Sequence, residues 1–573
     1  MLVRNTLYII VKKQTHEMRA LYLAAALLVS TFSHAQHHDF STDGMPTIPV
    51  KRHLCIQDGE GAEGRSVFYT SAQQANAPLS AKGSPKIVVC LAQFPDVQYT
   101  VAQDKESLMQ TYDTFFNGKG IGAGDNPCSV ADYFRDMSND AFTPEFVITE
   151  PITLSRERRY YGDVNGASRR TVFRNEALDS LYTGISDRID ELDTNADGMV
   201  DGVIIVFTGC GANVGDDEGM HPVCWTNALS SKGITYATAL MGPELLGLDY
   251  TSQGGPNYAK LNGIGVFVHE LSHMLGLPDF YDINYKAPGM DYWSLMDYGE
   301  YWDNGYNPTP YTAYERHYMG WTSLIELSEP TTVSNMKALG DDGSAYVIYN
   351  DGNRDEYYIL ENRSVNDPWS RSLCTALGSG MMIYHVDYDA SAWSSNRVNT
   401  NMARQRMTII PANGHFEICD NLLDNASKYT SELRGHLWPL KNVESVLAYW
   451  GLAGNNALTD EERIEGDRIA PAARLHTANT DGTYLMHKPI TDIAYDDNTK
   501  SVSFSFMGGT STGLEEVPCD NLLAGDTMVD VYTMDGRKMY RGSRDGLSRL
   551  PGGLYIVHDM LTGESRKYVA APR

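Results

Sequence analysis

A chain of 573 residues, 42% of them hydrophobic, holds enough apolar material for several packed domains and too much for wholesale disorder. The formal charge of −27 excludes the basic surface that a nucleic-acid partner requires, and it suits a soluble exported protein. Eight cysteines are too few to frame so long a chain with disulfides, although Cys210 and Cys224 are close enough in sequence to close a loop.

The N-terminus reads as an export signal. Met18-Arg19 precedes an apolar run from Ala20 to Val29, and Ser33 and Ala35 supply small residues for cleavage. Residues 1–35 are therefore expected to be a signal peptide, with Met18 as an alternative start. The run is too short to span a bilayer, and no other segment offers a transmembrane helix. The expected location is outside the cell or on its surface, after passage through a periplasm. Residues 36–83 are polar and aperiodic and read as a propeptide or lead-in. Cys55 within them could block a metal centre as a thiolate, an idea that rests on that one residue.

The catalytic segment is expected over 84–328. "KIVVCLAQF" (Lys86–Phe94) and "GVIIVFTG" (Gly202–Gly209) have the short apolar form of buried strands. "SVADYFRDMSND" (Ser129–Asp140) opens on a serine cap and predicts a helix, and Arg169–Ile189 has helical spacing. Alternation of strands and helices predicts an α/β domain. Between them, "DTNADGMVDG" places Asp193, Asn195, Asp197 and Asp201 around Gly198, as in the first half of an EF-hand loop. Ile204 stands where the closing glutamate would be, so Asp201 is expected to serve as last ligand of a structural calcium ion. The plainer alternative is an Asx-rich turn without metal. The stretch Tyr236–Gly247 is a candidate to align a substrate backbone by strand addition.

"FVHELSHMLGLPDFYD" (Phe267–Asp282) carries the chemistry. His269 and His273 are four apart, so one helix face presents both imidazoles to one ion, and zinc accepts such nitrogens. Glu270 beside them is placed to act as general base on water. Gly276 can turn the chain sharply and Pro278 forbids more helix, which swings Asp279 back as a third ligand. Asp282 and Glu300 compete for that place. The pattern is of the metzincin type with aspartate in place of the third histidine. In "YWSLMDYG", Met296 is expected to form a Met-turn beneath the ion. Tyr298 resembles the tyrosine that follows this turn in astacins and serralysins, which implies oxyanion binding.

These segments, with "YWSLMDYGEYWDNGYNPTPYTAYERHYMGW", "SVADYFRDMSNDAFTPEF" and "EYYILENR…GMMIYHVDYD", resemble the immune inhibitor A family of secreted metallopeptidases over roughly residues 84–505. The resemblance implies a zinc endopeptidase acting on proteins or peptides, with His269, Glu270, His273 and Asp279 in the roles above. Residues 329–508 are a succession of short strands, expected to form a β-sandwich or a β-rich extension of the first domain. After a linker, two hairpin-like units complete residues 509–573 and resemble a type IX secretion sorting domain, which implies contact with that secretion machinery. The expected fold class is α+β multidomain: a metzincin-like α/β zinc-protease domain, a β-sandwich-type domain and a small C-terminal β domain. Two other functions fit the composition. One is a calcium-braced adhesin or glycan-binding protein with a relic metal site, against which the intact Glu270 argues; the other is a metallo-amidase acting on small peptides.

Overall fold

The computed structural model describes residues 77–509, apart from short interruptions and the segments 248–259, 415–431 and 441–472, together with strands and turns between 528 and 570. The expected signal peptide, most of the lead-in including Cys55, and the linker 510–527 lie outside the described residues. No helix among the described residues is long and apolar enough to cross a membrane.

Lys86–Gln93 (β1) is apolar at successive positions because both of its faces are covered. Glu145–Ile148 (β2) and Gly202–Cys210 (β3) flank it in parallel. Ala239–Leu245 (β5) runs parallel to β3, and Val223–Trp225 (β4) pairs antiparallel with β5 at the end of the sheet. The order is β2-β1-β3-β5-β4, with Ile152–Thr153 extending β1.

Alternation along β1 sorts the two faces. Ile87, Val89 and Leu91 enter one core with the helices Lys105–Asn117 (α1), Val130–Ser138 (α2) and Gly265–Met274 (α4). Val88, Cys90 and Ala92 enter a second core with Arg170–Ile185 (α3). Asp104 with Ser107 and Ser129 with Asp132 form capping boxes that start α1 and α2. The folded unit begins ahead of the expected boundary at 84, since Leu79 and Ala81 are buried in the first core and the Leu79 N–H donates to Met274 O, at the end of α4.

One expectation needs correcting. Tyr236–Gly247 offers no free edge, because β5 is hydrogen-bonded to β3 on one side and to β4 on the other. Beyond β4, the backbone of Glu244 and Leu246 is taken up by Asn262 and Lys260. No disulfide joins Cys210 and Cys224; the first is turned to Gly247 O and the second lies 3.9 Å from Thr238 Oγ1. Asp201 joins the acidic loop to the sheet. Its oxygens accept from Lys86 N (2.9 Å), Thr194 N (3.1 Å) and Thr194 Oγ1, so it fastens β1 to the start of β3.

The strands Leu324–Glu326 (β6), Ala345–Asn350 (β7), Asn353–Arg363 (β8), Gly380–Asp387 (β9) and Met407–Ile409 (β10) form a second sheet in the order β10-β9-β8-β7-β6. One face sends Val347, Ile359, Met382 and Val386 into the same core as α4 and the Met296 turn. On the other, Tyr346 meets Phe504 edge-on at 5.9 Å. Buried Arg363 of β8 donates to the Trp293 and Pro310 carbonyls, 3.2 Å each. Residues 334–504 therefore belong to one compact unit with the segment before 328, a β-rich extension rather than a separate domain. A second unit holds 505–573 with 329–333. Its strands Met528–Thr533 (β11), Lys538–Ser543 (β12), Gly553–Asp559 (β13) and Ser565–Ala570 (β14) are antiparallel, in the order β12-β11-β13-β14. Its small core includes Val529, Val531, Tyr555 and Val557.

A polar network lies across β8 and β9. Glu356 accepts from His385 Nε2 (2.9 Å), from Thr477 N (2.9 Å) and from His476 N. Asp387 accepts from His476 Nδ1 (3.0 Å) and from Arg404 Nε (2.6 Å). Burial pushes the His385 imidazole pKa down, only partly offset by Glu356. Burial also opposes ionisation of Glu356, but His385 and the His476 N–H outweigh it and hold the carboxyl low. A histidine kept neutral binds fewer protons folded than unfolded, so its stabilisation is present at pH 7 and is lost as pH falls below about 6.5. The urea-midpoint advantage of wild type over His385→Gln should therefore narrow between pH 7 and pH 5. A constant or widening gap contradicts the assignment.

Candidate metal centre

Every residue of helix α4 is buried, the polar His269, Glu270, Ser272 and His273 included. Its start is held by side chains: Asn126 Oδ1 accepts from Ile264 N (2.9 Å) and Asn262 Oδ1 from Gly263 N (2.9 Å). A Cβ on Gly265 would stand 1.8 Å from Glu300 O, so only glycine lets the two segments approach there. The helix stops where the sequence predicts. Gly276 has φ +97°, and Leu277 N returns to Ser272 O (3.1 Å).

That reversal brings Asp279 back over the helix. Its Oδ1 lies 3.2 Å from His269 Nε2 and 3.4 Å from His273 Nε2. One ligand atom from each of the three residues falls within 4.8 Å of the others, and all three side chains are buried. Tetrahedral ligands about 2.0–2.1 Å from a zinc ion stand about 3.3 Å apart, which the two histidine–aspartate separations match.

The outer atoms are fixed too. His269 Nδ1 faces Leu295 O at 2.9 Å and His273 Nδ1 faces Leu277 O at 2.7 Å. A carbonyl can only accept, so each Nδ1 carries a proton, and Nε2 is the nitrogen left for an ion, which would displace any proton held there. The Met296 turn supplies one of these carbonyls through Leu295. Met296 O also accepts from Phe280 N (2.8 Å), and its own N–H donates to Ser294 Oγ (3.1 Å).

Charge at the centre favours a cation. Burial disfavours the charged form of His269, but Glu300, Asp279 and Glu270 outweigh it and raise the imidazole pKa to about 10. Burial likewise opposes ionisation of Asp279, yet His273 and His269 hold its carboxyl far below the usual range. Asp279, with Glu270 and Glu300 close by, sets acidic side chains beside the two imidazoles, an environment that suits a divalent ion.

Of the rival carboxylates, Glu300 lies behind His269, 3.8 Å from Nδ1, and Asp282 accepts from Asn284 N in a turn (2.9 Å). Glu270 is fully buried on the same helix as both histidines. The Tyr298 ring stacks on Tyr292 with centroids 5.6 Å apart. Two residues escaped the sequence reading. Tyr301, whose hydroxyl lies 3.4 Å from Asn213 Nδ2, has its pKa pushed well above 10 by burial and by Glu300; its spacing of three from Tyr298 was the available signal. Asn396 donates to Asp279 Oδ2 at 2.6 Å and is 117 residues away, so no local pattern announces it.

In the acidic loop, Gly198 has φ +86° and its N–H donates to Asp193 Oδ2 (2.8 Å), while Asp197 N donates to Asn195 Oδ1 (3.0 Å). One other group of metal-type side chains is found among the described residues, Glu356, His385 and His476. Both oxygens of Glu356 there already accept backbone N–H groups.

With the geometry in hand, comparison with known proteins is specific. The chain is similar to "Immune inhibitor A" of Bacillus thuringiensis subsp. alesti, 22% identical over 290 residues, covering 42% of this chain and 41% of that protein. It is similar also to "Pre-pro-metalloprotease PrtV" of Vibrio cholerae serotype O1 (strain M66-2), 26% identical over 282 residues, 42% of this chain and 30% of that protein. The chain thus matches less than half the length of either relative. Residues 74–322, which contain the whole of the His269–His273–Asp279 constellation, match the family described as immune inhibitor A peptidase M6, catalytic domain.

Proposed function

We propose that this protein is a secreted zinc-dependent endopeptidase that hydrolyses peptide bonds of proteins. The observation that carries the reading is the convergence of His269 Nε2, His273 Nε2 and Asp279 Oδ1 in a buried site, one residue along the helix from Glu270. The match of residues 74–322 to a peptidase family supports it.

His269, His273 and Asp279 would hold the ion. Zinc bound there supplies Lewis acidity toward a carbonyl and a water. Glu270 takes the proton from the attacking water and returns it to the leaving amine, the role its place beside the first histidine suits. Tyr298 is assigned to steady the developing oxyanion, by its position two residues after Met296. Leu295 O and Leu277 O hold both imidazoles in the ligating tautomer throughout.

The loop around Gly198 is read as a calcium site formed by Asp193, Asn195 and Asp197, with Asp201 as its expected last ligand. The turn of those three side chains about Gly198 supports this. The C-terminal sheet, a unit with its own core, is read by its resemblance as the module that addresses the chain to type IX secretion.

Two outcomes follow. Glu270→Gln should retain zinc yet lose on the order of 10²–10⁴-fold or more in casein hydrolysis. Equal cleavage by both proteins would remove Glu270 from the chemistry, and no cleavage by wild type, with any leading segment removed, would end the peptidase reading. Millimolar calcium should raise the melting temperature of wild type, and Asp193→Asn with Asp197→Asn should abolish the rise. A rise that survives both substitutions places the ion elsewhere.

A further inference from the structure

The proposed third zinc ligand is not held by the segment that contains it. Asp279 follows the reversal at Gly276, and a short turn by itself leaves a carboxylate free to rotate. Asn396, from the turn that follows the helix Ala390–Ser394 in the β-rich half, meets it at both ends. The Asp279 N–H donates to Asn396 Oδ1 (2.7 Å), and Asn396 Nδ2 donates to Asp279 Oδ2 (2.6 Å). Both residues are buried. One amide thus fixes the backbone and the side chain of Asp279 together. The carboxylate plane is set, and Oδ1 is left facing the two imidazoles.

The backbone of Asn396 has φ +52°, a conformation that asparagine tolerates better than most residues. The same loop grips the next residue as well. Asn399 Nδ2 donates to Phe280 O (2.7 Å) and to Met407 O (2.6 Å), while its Oδ1 accepts from Met407 N (3.0 Å). Nearby, Gln405 Oε1 accepts from Gly289 N (3.1 Å). The loop between β9 and β10 is therefore the outer wall of the turn that carries Asp279.

We propose that Asn396 is a positioning residue for the metal: the β-rich half completes the zinc site by orienting Asp279 through a reciprocal amide–carboxylate pair. This rests on the zinc reading above. It explains why the helix and its turn share one compact unit with residues 334–504.

Zinc affinity of the full chain, measured by competition with a fluorescent chelator, tests it without reference to activity. Asn396→Gly removes the amide at a backbone angle that glycine accepts. Asn396→Asp keeps an acceptor for the Asp279 N–H but sets a carboxylate against Oδ2. Both should weaken zinc binding about 10–100-fold, the usual effect of losing such an orienting partner. Asn399→Asp breaks hydrogen bonds in the same loop without touching Asp279. It should lower the melting temperature while changing zinc affinity by less than about threefold. If Asn396→Asp binds zinc as wild type does, or if Asn399→Asp loses affinity equally, Asn396 is only a loop anchor and the inference fails. A glycine variant that does not fold leaves the Asp variant and the Asn399 comparison to decide. A wild type that binds no zinc overturns the zinc reading itself. A wild type that binds zinc in an Asn396-dependent way and cleaves nothing overturns only the peptidase reading.

Discussion

Two imidazoles and the Asp279 carboxylate converge at essentially zero exposure in an apolar core, with Glu270 and Glu300 buried close by, and the rest of the structure answers that constraint. Burying charged or polar groups is costly unless each is paired. Every described element near the centre meets part of the requirement. Leu277 O and Leu295 O take the histidine protons, and Asn396 takes one oxygen of Asp279. A divalent cation held by His269, His273 and Asp279 would complete the account.

The same constraint explains why the β-rich sheet is not a free-standing domain. Helix α4 is buried on all sides, and such a helix needs cover on all sides. The first sheet, through β5 and α1, covers one flank, as the contact of Phe267 with Phe115 and Phe116 shows. The turn after Gly276 and the Met296 turn need another wall. The second sheet supplies it through Trp393, Tyr384 and Val386, and locks to it with Arg363. Stability and metal geometry thus depend on the same packing.

Much of this was legible in the sequence. Lys86–Gln93 and Gly202–Cys210 are short, apolar and β-rich because they are central strands, and Ser129 marks the start of a helix by its hydroxyl. The histidine spacing and Gly276 are local rules of helix geometry, so they survive without knowledge of the fold. What was not legible is nonlocal. Asp201 reads as a loop residue, and nothing local announces that one of its oxygens also accepts from the backbone of Lys86, 115 residues earlier. Tyr236–Gly247 looks like an accessible strand, yet pairing on both sides closes it. The division expected at 328 follows a real change in texture from helices to strands, but packing ignores that change. Asn396 has no signal at all in the chain near Asp279.

The most direct test of the central claim is the X-ray absorption fine structure of zinc in the purified full chain. The account predicts one zinc per chain with nitrogen and oxygen scatterers at about 2.0–2.1 Å, imidazole multiple scattering from two rings, and no sulfur. It also predicts that Asp279→Ala changes the oxygen shell while leaving both rings. A sulfur shell near 2.3 Å, or a spectrum unaltered by Asp279→Ala, would contradict the three-residue centre described here.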